Sequence, residues 1–246
     1  GGGDDVLAYT NLWEWDSWLW DIRQCFRGEE DPAQEFNNRG NYWQWCKGEL
    51  PNGLSHRPLF TMGSHATISF GVVIAHHSVP LAIALENLWE AESEAKTHTD
   101  ASKQKGKDAV QVRVLYANGN QLKATCKFDT FNCWKDLLDF DWKLLALEED
   151  QSSLFEQAAQ LWEQHPAPVP EAIDSWVRLF CERRDLFEED PDQEHQFAEK
   201  LTAYLTHLWH NTAETPGEVK RDTEIKNGLK LAAFVLRNRS IQLGGK

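Results

Sequence analysis

Residues 67–81 read TISFGVVIAHHSVPL and determine the fold, because they place a strand directly before a helix. The first nine are rich in β-branched and apolar residues, which is typical of a strand buried on both faces. Ser78 is a candidate helix cap, and Pro80 suits the first turn of a helix, where its missing N–H is no loss. The sequence therefore predicts a strand over residues 67–75 and a helix from Pro80.

The elements after this stretch follow from the spacing of their apolar residues. Helical spacing predicts an inner face made of Leu81, Leu85, Leu88 and Ala95. The glutamates between them, Glu86, Glu90, Glu92 and Glu94, are expected on the outer face. Residues 109–116 alternate valines with other side chains, and Asn118-Gly119 is typical of a two-residue hairpin. Residues 121–128 are therefore expected to return as the second strand of that hairpin.

The residues before this stretch predict a helix and a long connection. Apolar positions recur with helical spacing over residues 12–26, and the acids and Arg23 between them are expected to face water. Residues 28–63 contain five glycines and three prolines, which predicts an irregular insertion. Residues 6–9, VLAY, have the length of a strand and follow a glycine-rich turn. The strand that would pair with them is expected upstream of Gly1, so we interpret the chain as a C-terminal fragment of a longer protein.

The second half of the chain predicts helices alone. Apolar stripes with helical spacing mark residues 154–161, 173–180, 197–208 and 225–236, and prolines separate them. The first half, in contrast, mixes helices with strands. We therefore predict an α+β fold with one domain at residues 1–133 and a helical bundle at residues 134–246.

Composition restricts the possible functions. The net charge is −14, which disfavours nucleic-acid binding by this chain without a metal ion, a local basic strip or a basic partner. The longest apolar run, residues 68–75, is too short to cross a membrane, and no export signal is visible. Five cysteines without a C-x-x-C pair argue against a zinc finger or a disulfide framework and favour buried thiols in a reducing cytoplasm.

Gly2-Gly3-Asp4-Asp5 is the one local motif with a chemical mechanism. Nucleotidyl transfer uses two divalent cations about 4 Å apart, and neighbouring carboxylates at a tight turn are able to bind such ions. Oxygen ligands favour Mg²⁺ or Mn²⁺ over zinc. Gly2 and Gly3 lack Cβ atoms, so a triphosphate can approach the backbone closely. The same four residues are also common in ordinary turns that have no catalytic role.

The order of the motifs resembles a known family. GGDDVLA at residues 2–8, ISFGVVIAHH at residues 68–77, Pro80-Leu81, and DAVQVRV at residues 108–114 occur in one succession. In this respect the chain resembles the large polymerase/cyclase subunit of type III CRISPR effector complexes, and most of all the III-B (Cmr) kind. The resemblance is strong over residues 1–133, and the helical remainder is similar to that family's C-terminal helical domain more loosely.

The resemblance implies a specific function. It implies a partial Palm domain of the ferredoxin-like, nucleotide-cyclase type, which joins ATP into cyclic oligoadenylates when the complex binds target RNA. Asp4 and Asp5 would bind Mg²⁺ or Mn²⁺, while Gly2 and Gly3 would line the nucleotide. His76 and Ser78 are candidate nucleotide contacts, although many members carry a lysine at the position of Ser78. The implied partners are other subunits of the effector complex, with guide RNA and target RNA bound through the complex, and no membrane.

Three other interpretations compete with this one. The helical half could be a scaffold that docks subunits of a ribonucleoprotein, with a vestigial GGDD turn. A diguanylate cyclase carries a related Palm, but Val6 stands where its GG[DE]EF signature has phenylalanine. At the end of the buried strand, one of His76 and His77 is expected to point into the core and pair with a carbonyl rather than bind a ligand.

Overall fold

A computed structural model describes residues 6–31, 34–38, 41–54, 56–100, 106–140, 151–183, 191–213 and 220–239. The chain divides into two units, Gly1–Ile68 and Ser69–Lys246. This division differs from the predicted boundary at residue 133, which separates domains by their kind of secondary structure. The predicted boundary stays a prediction.

The unit Gly1–Ile68 contains one helix and a small antiparallel sheet. Helix α1, Trp15–Arg27, ends at Gly28, whose φ of 66° gives the left-handed cap that glycine adopts without strain. Strands β1 (Phe36–Asn38), β2 (Tyr42–Trp45) and β3 (Leu59–Phe60) form the sheet in the order β1-β2-β3. Phe36 lies 5.2 Å from Trp43 and 5.3 Å from Trp45 between ring centroids, so aromatic contacts hold β1 against β2.

Three expectations for this unit need correction. The segment 28–63 is not wholly irregular, since it contains β1, β2 and β3. Asp16 and Arg23 of α1 are buried instead of facing water, and Arg23 pairs with Glu29 at 3.3 Å. Residues 6–9 are not a strand, and Val6 and Tyr9 are exposed. No strand of the described residues pairs with this segment, and a strand is defined by its ladder of backbone bonds, which explains the last difference.

The unit Ser69–Lys246 is built on a second three-stranded sheet. Strand β4 (Phe70–Ala75) runs parallel to β5 (Ala109–Leu115), and helix α2 (Leu81–Thr97) makes the crossover between them. Strand β6 (Gln121–Lys127) pairs antiparallel with β5 through the Asn118-Gly119 turn, in the register Gln111↔Thr125. The predicted strands and hairpin are confirmed. Strand β4 is only half-buried, however, and not buried on both faces.

Helices make up the rest of this unit and contain most of its core. They are α3 (Phe128–Leu138), α4 (Gln151–Gln164), α5 (Ile173–Glu182), α6 (Pro191–His210) and α7 (Lys220–Arg239). The last four confirm the predicted helices, and α3 was not predicted. Each of these helices buries large side chains completely, among them Phe131, Trp162, Phe180, Phe197 and Leu229. The α+β fold with a helical C-terminal part is therefore confirmed.

The two edges of the β4-β5-β6 sheet differ. Along the outer side of β6, the Thr125 N–H donates to Glu224 Oε2 at 2.7 Å, and Asn227 Nδ2 donates to the Lys123 carbonyl at 2.8 Å. Both acceptor and donor side chains belong to α7, which therefore covers this edge. Among the described residues, no strand pairs along the outer side of β4. Exposed strand edges are sites of association, and natural proteins usually cover them.

Candidate nucleotide site

The candidate site contains the turn between β4 and α2. Strand β4 ends at Ala75, and the N–H of Val79 donates to the His76 carbonyl at 2.9 Å to close the turn. His76 Nδ1 lies 2.7 Å from Ser78 Oγ, and the Ser78 N–H donates to the same ring nitrogen at 3.3 Å. The structure therefore brings His76 and Ser78 together, and their roles as nucleotide contacts stay a prediction.

This geometry assigns the tautomer of His76. Because the Ser78 N–H donates to Nδ1, that nitrogen is an acceptor and carries no proton in the neutral ring. The proton of the neutral imidazole is then on Nε2. Since His76 is exposed, its Nε2–H is able to donate to an anionic group from solvent.

The expectation that one of the paired histidines points into the core is wrong. Both His76 and His77 are exposed, and their rings lie 4.0 Å apart at an angle of 47°. The reason is that β4 ends at Ala75, one residue before the pair, so neither ring has a position on a buried face. A histidine in solvent is more available to a ligand than the core histidine that the sequence suggested.

Gly2, Gly3, Asp4 and Asp5 lie outside the described residues. They belong to the unit Gly1–Ile68, whereas His76 and Ser78 belong to Ser69–Lys246. Their roles as nucleotide-lining and metal-binding residues therefore stay predictions. Within the ranges that the structure describes, no three His, Cys, Asp or Glu side chains are grouped so that they could hold a metal ion.

Close packing of α2 on β4 fixes the position of the turn. A Cβ atom at Gly71 would lie 2.5 Å from the Glu92 nitrogen and 2.6 Å from the Leu88 oxygen. Both are backbone atoms, so the helix is closer to the strand than any residue other than glycine allows. The turn at residues 76–80 joins these two elements, and its path is therefore set by their contact at Gly71.

A buried arginine of the sheet bonds to the face of α2 that carries Glu90 and Glu94. Arg113 on β5 is wholly buried, and its guanidinium donates to Glu90 at 2.6 Å, to Glu94 at 2.8 Å and to Asn87 at 3.1 Å. These three acceptors lie on successive turns of α2. Its Nε also donates to Gln111 Oε1 at 2.9 Å on its own strand. A charged, forked donor thus bonds the helix to the sheet over two turns.

The same network continues across the sheet to α7. Gln111 Nε2 donates to Glu94 Oε2 at 2.7 Å and to Thr125 Oγ1 at 2.9 Å, and Thr125 in turn donates its N–H to Glu224. Burial opposes the ionisation of Glu94. The bond from Gln111 and the nearby positive charges, Arg113 among them, outweigh this effect, so the pKa of Glu94 is lowered. Glu94 is therefore ionised at neutral pH and balances the charge of Arg113.

Comparison with known proteins bears directly on the β4–turn–α2 geometry. Residues 1–111 match the family model of Cas10/Cmr2, second palm domain. The match to the Cas10/Cmr2 second palm domain includes the GGDD motif, β4, the His76–Ser78 turn and all of α2, and it ends within β5. It covers fewer than half of the 246 residues. The part of the chain similar to this palm domain is thus the part that contains every predicted site residue.

No curated protein matches the chain. Among the helices in the described ranges, none has both the length and the apolar character that crossing a membrane requires.

Sequence reasoning missed the polar network. Gln111 and Arg113 alternate with buried valines, which normally indicates a solvent-exposed side of a strand. The signal available in the sequence was the pair Glu90 and Glu94 on α2. Their spacing of four residues places two acids on one face of the helix, where an arginine on a facing strand can bind both.

Proposed function

We propose that the chain is part of a Cas10/Cmr2-type subunit of a type III CRISPR effector complex, most like the III-B kind. In this proposal its GGDD residues serve the conversion of ATP into cyclic oligoadenylates when the complex binds target RNA. The observation that carries the proposal is the match of residues 1–111 to the second palm domain, because it includes the GGDD motif and the β4–turn–α2 geometry in one stretch.

The residues suit the chemistry that the proposal assigns to them. Asp4 and Asp5 offer hard carboxylate oxygens, which is the donor type that Mg²⁺ and Mn²⁺ prefer. A bound divalent cation would stabilise the charge on the reacting phosphate and on the pyrophosphate that leaves. His76 would donate its exposed Nε2–H to phosphate oxygen, and the hydroxyl of Ser78 would hold the imidazole in that tautomer. Gly2 and Gly3 would leave room for the nucleotide beside the backbone.

The proposed partners follow from the complex and from the charge of the chain. Guide RNA and target RNA are bound through the assembled complex in the cytoplasm. The net charge of −14 supports this arrangement, because a strongly acidic chain repels phosphate backbones unless other subunits supply basic surface.

A scaffold role for the helical part is the second candidate. The match to the palm domain ends at residue 111, so α3 to α7 lie outside it. On α5 and just before it, Leu179 and Val169 are about half exposed, which gives this region apolar surface for a neighbouring subunit. Under this interpretation the GGDD turn has no catalytic role.

The proposal predicts that Asp4→Asn with Asp5→Asn abolishes oligoadenylate synthesis in the effector complex that contains the full-length parent protein. Because direct metal ligands matter at least as much as the groups that support them, product formation should fall at least about a hundredfold. The measurement is conversion of radiolabelled ATP after target RNA is added, with target binding measured in parallel. Binding should be unchanged.

The control for this experiment is Asp192→Asn with Glu194→Gln, which removes the same number of charges from the first turn of α6. It should leave product formation unchanged. If the GGDD variant makes as much product as this control, the cyclase assignment is wrong. Normal assembly of the complex in that case would favour the scaffold.

A further inference from the structure

In the described residues, strand β4 and helix α2 present two open surfaces side by side. Strand β4 contains the six residues Phe70–Ala75, and no described strand pairs along its outer side. On α2, Leu81 and Trp89 are 57% and 62% exposed, and Leu85 between them is half-buried. These three residues recur every four positions, so they form one apolar stripe, the α2 stripe. Unpaired backbone groups and exposed apolar side chains both favour association.

The α2 stripe lies on the flank of the helix that faces away from β5. The opposite flank carries Asn87, Glu90 and Glu94, which bond to Arg113 of β5. At about 100° per residue, the two sets are about 170° apart around the helix axis. Because β4 is the strand beyond β5, and α2 rests on Gly71 of β4, the stripe projects over the outer side of β4.

Along the strand direction, the middle of the α2 stripe is level with the middle of β4. As the crossover between two parallel strands, α2 runs antiparallel to β4, and its backbone at residues 88–92 contacts Gly71. Val73 lies two residues further along β4, a distance of about 6.6 Å, which four to five helix residues also span. Leu85 is therefore level with Val73, near the centre of the strand.

We propose that this surface binds a second copy of the chain, through antiparallel pairing of the two β4 strands about a two-fold axis near Val73. An axis perpendicular to the sheet places both α2 helices on the same side of the combined sheet. Each helix contacts both β4 and β5, so the two helix axes lie about two strand spacings, or about 10 Å, apart. Packed helices have this interaxial distance.

The α2 stripe is complementary to itself under this symmetry, which favours a second copy over any other occupant. The two helices run antiparallel, so Leu85 faces Leu85 of the second copy, and Trp89 faces Leu81 of the second copy. At the C-terminal end of the stripe, Glu92 and Lys96 form an ion pair at 2.5 Å. The interface therefore has apolar contacts at its centre and paired charges at its rim, as specific interfaces do.

The size of the surface predicts a weak pair. One strand edge and two turns of helix per copy make less than a standard interface, which buries about 1,600 Å² in total. The net charge of −14 on each copy adds repulsion, which salt screens. Association is therefore expected to depend on concentration and to strengthen with added salt.

The test is sedimentation equilibrium of the 246-residue chain from low to high micromolar concentration, which should show a shift from monomer to dimer. Trp89→Asp should raise the dissociation constant at least about thirtyfold, because a buried interface tryptophan is a typical hot spot. Since Trp89 is exposed in the single chain, this variant should fold. Leu179→Asp is the control, because Leu179 is 51% exposed but lies on α5, outside the α2 stripe. It should associate like the unaltered chain.

Hydrogen exchange locates the interface. The amides of β4 that point away from β5 should exchange more slowly at high concentration, and Trp89→Asp should remove this dependence. A chain that stays monomeric at every concentration would overturn the proposal, whether or not these amides are protected. A dimer that Trp89→Asp and Leu179→Asp weaken equally, or one that leaves exchange in β4 unchanged, would overturn it as well.

Discussion

Gly71→Ala is expected to destabilise the chain by about 3 kcal/mol, the upper part of the usual range for overpacking. The added Cβ would lie 2.5 Å from the Glu92 nitrogen and 2.6 Å from the Leu88 oxygen. Because both are backbone atoms inside α2, no side-chain rotation relieves the clash, and the whole helix must move away from β4. Urea unfolding, followed by tryptophan fluorescence, measures the change.

The matched control is Gly106→Ala, in the connection between α2 and β5. There the nearest atom to a new Cβ is the Lys96 oxygen at 4.0 Å, which is ordinary contact. This variant should differ from the unaltered chain by no more than about 0.5 kcal/mol, as is usual away from such features. Equal stabilities for the two variants would show that α2 does not rest on Gly71 as described.

Arg113→Met is the second change with a large expected effect, about 3 kcal/mol of destabilisation. Removing one partner from a buried charged network leaves the others unsatisfied, and losses of about 3–5 kcal/mol are typical. Here Glu90 and Glu94 are about half exposed, so water can solvate them and the loss stays near the lower end. Gln111, which is buried, loses the Nε donor to its side-chain oxygen.

Arg113→Lys separates the contribution of the positive charge to stability from that of the forked guanidinium geometry. It keeps the positive charge but has no planar fork, so it should recover part of the stability and not all of it. Arg178→Met is the control, since Arg178 is exposed and its bond to Asp174 within one helix is worth little. If Arg113→Met and Arg178→Met unfold at the same urea concentration, the Arg113 network does not hold α2 to the sheet.

Local periodicity was sufficient to predict most of the secondary structure. Strands β5 and β6 followed from the alternating valines and the Asn118-Gly119 turn, and α4 to α7 from apolar stripes bounded by prolines. Helix α3 was missed because it begins at Phe128, directly after β6 and without a turn residue between them. The end of the strand and the start of the helix therefore share one apolar run.

Hydrophobicity predicted only part of the buried face of α2. Of the predicted inner positions, Ala95 is buried but Leu81 is 57% exposed, and Ala91, which was not predicted, is buried as well. Glu90 and Glu94, predicted outside, are about half exposed, and they also bind the buried Arg113. The rotation of the helix is set by its close approach at Gly71 and by Arg113, and both act between residues far apart in the sequence.

The residues of the candidate site could be identified from the sequence motif, but their positions in space could not. The sequence analysis identified His76 and Ser78 as candidate contacts. It also predicted a histidine in the core, because the apolar run up to Ala75 indicated a fully buried strand. The end of β4 at Ala75 leaves the pair in solvent, with His76 bonded to Ser78. That bond depends on the path of the turn, which composition does not specify.

The unequal edges of the β4-β5-β6 sheet limit how large any assembly formed through it can become. Of the two edges as the described residues form them, β4 is the one along which a second chain could add, since α7 bonds to the outward backbone groups of β6. Two chains joined through their β4 strands would each have used the edge along which no strand of the described residues pairs. Growth would then stop at a pair, and a continuous fibril of stacked sheets could not propagate through this edge.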